Sequence, residues 1–415
     1  MSGRDVHKAV QAVWRIESAR LVAALARQVR DVGLAEELAQ EALVAALERW
    51  PKTGVPDNPG AWLMATARRR AVDLFRHRAM AERKHEALAH DIETDAMPDL
   101  DASLDDDIGD DLLRLVFTAC HPVLSPEAQA ALTLRMVGGL TTEEIARAFL
   151  VPEPTLAQRI VRAKRTLSEA RVPFEIPHGA ERTERLSAVL AVLYLIFNEG
   201  YSATAGEDWM RPQLIEEALR LGRILAELVP NEPEVHGLVA LMEIQASRTP
   251  ARTAADGSPV LLLDQNRSRW DRILIRRGLV ALDRAEKLGG ALGPYALQAA
   301  IAACHARART AEETDWPRIA ALYDALAQLA PSPIVELNRA VALSMAFGPA
   351  AGLELVDQLT DEPALKTYHL LPSVRGDLLA RLGRHAEARA EFERAAALTR
   401  NQREKALLLE RAKAL

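Results

Sequence analysis

The residues best suited to chemistry lie near position 160, where long polar side chains recur on one face of a predicted helix. Gln and Arg side chains match the hydrogen-bonding edges of adenine and guanine in the DNA major groove. The outward-facing residues of this helix are Gln158, Arg159, Arg162 and Arg165. Lys164 is better placed to contact a phosphate. The pattern predicts recognition of duplex DNA, and an ordinary solvated basic helix is the alternative for this segment alone.

The segment before this helix completes a predicted helix-turn-helix. Thr141 or Thr142 can cap a first helix, whose first turn carries acidic residues that suit the helix dipole. The buried side of this first helix is predicted to be Ile145, Ala146 and Phe149. A break of four to five residues follows, and Pro154 suits the first turn of the second helix. The inner stripe of that second helix is predicted to be Leu156, Ile160, Ala163 and Leu167.

A second basic surface is predicted nearer the N-terminus, after a loop rich in Pro and Gly at 51–60. Pro51 is expected to end the helix before the loop, and a new helix is expected to start near Ala61. The end of that helix carries Arg68, Arg69, Arg70, Arg76 and Arg78. Such a cluster supplies affinity for phosphates without reading sequence. Trp62, on the apolar side of the helix, is interpreted as a core residue, with base contact as the alternative.

Composition favours a helical protein with more than one domain. The chain has 415 residues, of which 49% are hydrophobic and only 4% aromatic, and its net charge of −6 argues against a free-standing nucleic-acid binder. Its two cysteines are far apart and form no metal or redox motif, which fits a reducing, cytoplasmic location. We find no signal peptide, membrane span or catalytic motif, so we expect no enzyme activity, no cofactor or metal, and no membrane partner.

Helical periodicity and connector composition divide the chain into blocks. The acidic stretch at 91–111 has no basic residue and too few large apolar residues to build a core, so it is predicted to be a mobile linker. The last part of the chain contains one good match to the 34-residue tetratricopeptide pattern, through Gly376, Gly383, Ala388, Phe392 and Ala395. The predicted domains are 1–88, an acidic linker at 89–111, a helix-turn-helix block at 112–172, a connector at 173–180, and a helical extension at 181–415.

The order of these blocks resembles the extracytoplasmic-function (ECF) sigma factors of RNA polymerase. The segments AEELAQEALVAALERW and AWLMATARRRAVDLFRHR resemble sigma region 2, and Leu112 to Arg171 resembles region 4. The stretches FNEGYSAT, LLLDQNRSRWDRILI and GPYALQAAIAACHA resemble a subgroup with a C-terminal tetratricopeptide-like domain. The resemblance therefore implies an all-α fold, with two small helical sigma domains followed by a tetratricopeptide-like α-solenoid. FLVPEPTL departs from the family's glycine-containing turn, which leaves the register of the recognition helix open by about one residue.

The resemblance also implies a function, with core RNA polymerase and promoter DNA as partners. Polymerase docking would fall to Glu36, Glu37, Gln40 and Glu41. The melted −10 strand would meet Asp57 and Asn58 and the arginines from Arg68 to Arg78. The −35 duplex would be read by Thr155, Gln158, Arg159 and Arg162. The protein would thus direct polymerase to promoters and initiate transcription.

The extension is predicted to regulate this activity in place of an anti-sigma factor. Polar residues beside a buried helix predict a groove for a small ligand or a protein partner, with helix caps and internal salt bridges as the alternative. These residues are Asn198, Glu199, Tyr201, Asp264, Arg267, Arg269, Trp270 and Asp271. The competing hypotheses for the whole chain are a ligand-sensing helix-turn-helix regulator that acts without polymerase, and a tetratricopeptide scaffold.

Overall fold

The chain is built from the helix-forming residues that dominate its sequence, chiefly Ala, Leu, Arg and Glu. The computed structural model describes residues 3–86, 108–149, 151–203, 205–206, 209–255 and 257–415. Contacts within the chain divide it into two units, Met1–Val192 and Leu193–Leu415. The helical fold class is confirmed, and the described strands are a single parallel pair of two residues each. The predicted linker at 89–111 lies outside the described residues except for its last four positions.

The first unit holds two helical blocks and the beginning of a longer helix. Its elements are α1 (Gly3–Val29), α2 (Val32–Thr53), α3 (Pro59–Glu86), α4 (Ile108–Ala119), α5 (Pro126–Met136), α6 (Thr142–Phe149), α7 (Glu153–Glu169) and the first part of α8 (Gly179–Tyr201). Leu25, Trp50 and Leu63 fill the core of the block formed by α1 to α3. Phe117 and Leu132 do the same between α4 and α5. Each block therefore has its own apolar core to hold its polar faces in place.

Two predicted boundaries around the first loop were wrong. Pro51 does not end α2, which continues to Thr53, where the Gly54 N–H donates to the Trp50 carbonyl at 2.9 Å. A proline near the end of a helix forfeits one backbone hydrogen bond, and the last turn tolerates this loss better than the helix interior does. The next helix begins at Pro59 rather than near Ala61, because Asn58 caps it. The loop is therefore shorter than predicted.

Three expectations in the helix-turn-helix block also differ from the structure. The first helix of this block begins at Ile108, before the expected Leu112, and it includes Asp111, which is buried and paired with Arg114 at 2.6 Å. The break between α6 and α7 spans three residues rather than four to five, since α7 begins at Glu153. Phe149 at the end of α6 is only half-buried rather than part of the core.

The second unit consists of antiparallel helices in succession. Its elements are the end of α8, β1 (Ala205–Gly206), α9 (Pro212–Leu228), α10 (Pro233–Ala246), α11 (Arg272–Lys287), α12 (Pro294–Arg307), α13 (Trp316–Leu329), α14 (Pro333–Phe347), α15 (Pro349–Gln358), α16 (Leu370–Arg381), α17 (His385–Leu398), β2 (Arg400–Asn401) and α18 (Gln402–Lys413). Short 3₁₀ turns join several of them. β1 pairs in parallel with β2, Ala205 opposite Arg400. None of the described helices is long and apolar enough to span a bilayer.

Small residues set the close approach of helices in the second unit. Gly376 on α16 faces Phe392 on α17, and a Cβ at Gly376 would lie 3.0 Å from the phenyl ring. Gly383 turns the chain between these helices with φ of +75°, a conformation that L-residues rarely adopt. Ala388 and Ala395 are fully buried on either side of Phe392. The five residues that matched the tetratricopeptide pattern thus build one tight helical hairpin.

Candidate nucleic-acid interface

The first helix of the helix-turn-helix begins with reciprocal capping. The Glu144 N–H donates to Thr141 Oγ1 at 3.1 Å, and the Thr141 N–H donates to Glu144 Oε2 at 2.8 Å. This pair satisfies two donors that the start of a helix otherwise leaves without partners. Of the two threonines considered, Thr141 is therefore the cap. Ile145 and Ala146 of α6 are buried, as predicted.

The second helix, α7, is two-faced in the way its sequence predicts. Its inner stripe is fully buried and consists of Leu156, Ile160, Ala163 and Leu167. Thr155, Gln158, Arg162 and Arg165 are exposed, whereas Arg159 and Lys164 are half-buried. Pro154 lies in the first turn, and Pro152 precedes it as the cap. The buried stripe fixes the roll of α7, so that the polar face points to solvent.

Part of this polar face forms the wall of a shallow groove against the start of α5. The groove has a volume of about 320 Å³, and it is lined by Thr155, Gln158, Arg159 and Arg162 on the α7 side. The Glu169 carboxylate accepts a hydrogen bond from Arg165 Nε at 2.6 Å. That contact is exposed and within one helix, so it restrains Arg165 only weakly. The geometry brings together four of the six residues predicted to contact duplex DNA.

The predicted −10 surface comprises the loop before α3 and the basic face of that helix. Asn58 Oδ1 accepts from the Ala61 N–H at 3.0 Å, so this side chain holds the start of the helix, while Asp57 is exposed. Along α3, Arg69, Arg70 and Arg76 are exposed and Arg68 is half-buried. Arg78 lies on α3, but its side chain is outside the described residues. Arg70 approaches Glu41 at 3.6 Å, which ties the basic face loosely to α2.

Two tryptophans, Trp50 of α2 and Trp62 of α3, pack together beside this surface. Trp50 is 1% exposed, and its ring meets that of Trp62 edge-on, with centroids 5.4 Å apart. Edge-to-face contact is a favoured arrangement of aromatic pairs. Trp62 is half-buried. It packs against the core through Trp50 without being fully buried, and base contact by Trp62 remains a prediction.

The four residues expected to dock on polymerase divide into two groups. Glu37 and Glu41 are exposed and Gln40 is half-buried on α2. Glu36 is only 4% exposed, because it points into the helix-turn-helix block. Its Oε1 accepts from Arg135 Nε of α5 at 2.8 Å, and its Oε2 is paired with Lys164 of α7. One carboxylate therefore joins three helices of the first unit.

Two further contacts join the same blocks. Asp31, which caps α2 through the Leu34 N–H at 2.9 Å, also meets the Ser168 hydroxyl of α7 at 3.5 Å. Arg27 of α1 pairs with the buried Asp111 of α4 at 3.3 Å. In this arrangement Glu36 and Lys164 are occupied with each other. Arg135 was not among the predicted site residues, and nothing in its local sequence marks it as a partner of a residue 99 positions earlier.

The predicted polar residues of the extension have mostly structural contacts. Glu199 pairs with Arg211, and Asp271 caps α11 by accepting from the Ile273 and Leu274 N–H groups at 2.8 and 3.1 Å. Asn198 is exposed near the end of α8. Asp264 and Arg269 are exposed in 3₁₀ turns. These contacts agree with the alternative of caps and internal salt bridges.

Three other residues of the predicted set gather in one place. Arg267 is 6% exposed and donates through Nη1 to the His305 and Ala308 carbonyls at 2.7 and 3.1 Å, holding the end of α12. Its guanidinium carbon lies 5.1 Å from the centre of the Trp270 ring. The Tyr201 hydroxyl accepts from Arg248 Nη2 at 2.6 Å. Arg248 was missed by sequence reasoning, because no motif surrounds it.

Three protein-family models match successive parts of the chain. Residues 16–80 match sigma-70 region 2, and residues 114–167 match sigma-70 region 4. Residues 185–286 match a family of unknown function, DUF6596. The first two matches contain the basic helix α3 and the helix-turn-helix. The fold and its polar faces thus define a helical DNA-binding protein of the sigma-70 class with a C-terminal extension.

Individual proteins similar to this chain include ECF sigma factors. An uncharacterized protein of Rhizobium meliloti, R00370, is 45% identical over 390 residues, 93% of this chain and 90% of its own. A probable ECF RNA polymerase sigma factor of Mycobacterium tuberculosis, SigI, is 28% identical over 42% of this chain and 60% of its own length. The ECF RNA polymerase sigma factor SigK of Mycobacterium ulcerans is 30% identical over 36% of this chain and 78% of its own. No solved structure matches the chain.

The chain therefore belongs to the ECF RNA polymerase sigma factors, with sigma-70 regions 2 and 4 and a C-terminal DUF6596 extension. Sigma factors direct RNA polymerase to promoters and are not catalytic.

Proposed function

We propose that the protein directs RNA polymerase by reading a duplex −35 element with α7 and a melted −10 strand with α3 and its preceding loop. The observation that carries the first half is the exposed Gln- and Arg-bearing face of α7, fixed by a fully buried inner stripe. Arg and Gln can each form paired hydrogen bonds with a base edge. The acidic linker connects the two elements in sequence.

The −10 surface rests on different chemistry. The exposed arginines of α3 contact phosphates, whose contribution to affinity does not depend on sequence. The loop with Asp57 and Asn58 is short and is anchored at both ends by helix caps. A base leaving the duplex costs a few kcal/mol of stacking and pairing energy, which contacts in the loop must recover. We place polymerase docking on the exposed part of α2, at Glu37, Gln40 and Glu41.

The compact first unit is the form that precedes engagement. Glu36 is buried between Arg135 and Lys164, so neither Glu36 nor Lys164 is available to a partner in this arrangement. Docking through the whole of α2, and phosphate contact by Lys164, both require these ion pairs to open. Opening a buried pair is costly, and a binding partner recovers that cost with contacts of its own. We infer that polymerase binding separates the two blocks.

The experiment that tests this function is transcription in vitro with core polymerase and a promoter library. We expect initiation at promoters sharing two short elements, strictly dependent on this protein. Arg162→Ala should lower initiation at the best promoter by about 5- to 150-fold, since one bidentate base contact is worth ~1–3 kcal/mol. Arg277→Ala removes the same charge from an exposed position on α11 and should leave initiation unchanged. Failure to bind core polymerase would refute the assignment.

The same experiment separates the competing function. A ligand-sensing regulator acting without polymerase would bind operator DNA alone and would not support initiation by core enzyme. The region 2 match at residues 16–80 favours the sigma factor, because that segment has no role in such a regulator. For the extension, we propose regulation of promoter-directed transcription by the tetratricopeptide-like helical hairpins, in place of a separate anti-sigma protein. The tight Gly376–Phe392 hairpin supports that description of its architecture.

A further inference from the structure

All five tyrosines of the chain lie in the second unit, and two of them, Tyr194 and Tyr295, are in direct ring contact. The rings of Tyr194 on α8 and Tyr295 on α12 meet edge-on with centroids 5.5 Å apart. Tyr201, two turns after Tyr194, stacks on Phe197 with centroids 5.5 Å apart. The Tyr194 hydroxyl donates to Gln298 Oε1 at 3.2 Å. Distant helices therefore bring phenol groups to a common place.

The other two tyrosines of the second unit, Tyr323 and Tyr368, are also partly buried. Burial, reinforced by the nearby Tyr194 phenol and opposed by Arg248, raises the pKa of Tyr323 to about 12. Burial, Glu404 and Tyr194 also raise the pKa of Tyr368. Each of the five side chains is only half-buried. Phenol groups are neutral near pH 7 and can donate hydrogen bonds.

Arg248 is the charged residue of this surface. Its Nη2 donates to the Tyr201 hydroxyl at 2.6 Å and also contacts the Gln245 side-chain amide, and both of these partners are neutral. Its guanidinium lies 5.6 Å from the Tyr201 ring centre and 5.9 Å from that of Trp270. Among the residues that the structure describes, no carboxylate forms an ion pair with Arg248. A guanidinium held between aromatic rings without a counter-ion is suited to bind an anion.

Neighbouring groups add positive potential and donors. Arg252 stacks 3.6 Å over the Tyr201 ring and donates to the Tyr201 carbonyl, while Arg267 donates to carbonyls at the end of α12. Both guanidiniums donate to main-chain carbonyls, so they contribute mainly positive electrostatic potential around Arg248. Burial, followed by the charges of Arg248 and Arg267, lowers the pKa of His305 to about 3, so this imidazole is neutral. Trp270 Nε1 is buried without a described hydrogen-bond partner.

These features together define the ligand chemistry. Arg252 and Arg267 are committed to main-chain carbonyls, which leaves the Arg248 guanidinium among neutral phenols, an indole N–H and aromatic faces. A single guanidinium matches the planar, singly charged carboxylate better than a doubly charged phosphate, which normally needs several cationic contacts. The aromatic faces match an apolar or aromatic body attached to the carboxylate.

We propose that the second unit binds a small carboxylic acid with an aromatic or apolar body, held by Arg248 and the tyrosines around it. This ligand site rests on the proposed regulatory role of the extension. Binding itself is measured without polymerase or DNA. A failure of binding therefore contradicts only this proposal, and a failure to support initiation contradicts only the proposed function.

The test is calorimetric titration of the full-length protein at pH 7 with benzoate, and separately with benzamide and inorganic phosphate. Benzoate, titrated to about 20 mM, should show binding at one site. Benzamide, its neutral isostere, should bind at least about tenfold more weakly, because a charge-assisted hydrogen bond is lost. Phosphate should bind more weakly than benzoate. Equal binding of benzoate and benzamide, preferred binding of phosphate, or no binding of benzoate would each overturn the proposal.

Variants assign the site. Arg248→Gln should weaken benzoate binding at least about tenfold, whereas Arg248→Lys, which keeps the charge, should retain part of the affinity. Tyr194→Phe keeps the ring and removes one donor, so its loss should be smaller. Arg276→Gln removes an exposed arginine of α11 and serves as the matched control, with unchanged binding expected. Circular dichroism checks folding, and unchanged benzoate affinity in folded Arg248→Gln would contradict the assignment. If Arg248→Gln does not fold, Arg248→Lys and Tyr194→Phe decide the site, and unchanged affinity in both would contradict it.

Discussion

At the scale of the residue, a buried polar group such as His305 makes the stability of the fold depend on pH. His305 is 8% exposed, and its ring lies edge-on to Trp316 with centroids 5.1 Å apart. Its imidazole is neutral in the folded chain but titrates near its usual pKa once unfolded. The unfolded state therefore binds more protons than the folded state between about pH 3 and 6.5. Stability must fall as the pH falls through this window.

The first prediction follows from this difference. On acidification from pH 7 to pH 5, protonation of His305 in the unfolded state should cost up to about 2 kcal/mol of folding free energy. Denaturant unfolding of wild type and His305→Gln at both pH values measures it, and the variant should lose less stability. His385→Gln, at an exposed position on α17, is the control and should behave as wild type. An equal loss in His305→Gln would show that His305 is not the titrating group.

At the scale of the element, the contact between α2 and the helix-turn-helix governs what can bind. Arg135 on α5 holds Glu36 from one side, and Lys164 on α7 holds it from the other. The side chains of Arg135 and Lys164 are both largely buried at this contact, which limits the screening of their ion pairs by salt. Removing one cation leaves Glu36 partly uncompensated, and breaking a buried pair in this way typically costs about 3–5 kcal/mol.

The second prediction is that Arg135→Gln loosens the first unit and strengthens its binding to core polymerase. Release of α2 removes a step that otherwise opposes docking, so a several-fold increase in affinity is expected. Hydrogen exchange should increase in α7 of the free protein, and a fluorescence titration with core polymerase gives the affinity. Arg20→Gln, which removes an arginine from an exposed position on α1, is the control. Unchanged affinity and exchange in Arg135→Gln would show that the contact does not oppose docking.

Local sequence was sufficient for the elements that carry the DNA-binding faces. Spacing alone predicted a threonine cap at Thr141 or Thr142 and the four-residue stripe of α7, and the structure confirms both, with Thr141 as the cap. Pro51 was misread because a proline signal does not distinguish the last turn of a helix from its end. The partners of Glu36 lie 99 and 128 positions away, so no local pattern could reveal them. The same holds for the contact between Tyr194 and Tyr295, which are 101 positions apart.

At the scale of the whole molecule, α8 decides where the chain can be divided. The sequence suggests a cut at residue 180, whereas the contacts divide the chain after Val192. The difference matters because Arg185 belongs to the first unit. It is 6% exposed, donates to the Phe117 carbonyl at 2.8 Å, and lies 6.0 Å from the centre of the Phe117 ring. The start of α8 therefore completes the helix-turn-helix block.

The third prediction compares two truncations with the full-length protein in transcription in vitro. Residues 1–192 keep Arg185 and its contact with α4, whereas residues 1–180 lose it and leave the Phe117 carbonyl without its donor. An unsatisfied buried acceptor typically costs about 1–3 kcal/mol, so the shorter form should unfold at a lower denaturant concentration. If the extension regulates, the folded 1–192 form should differ from full-length protein in promoter-directed initiation. Equal promoter-directed initiation by the 1–192 form and the full-length protein would mean that the extension does not regulate transcription.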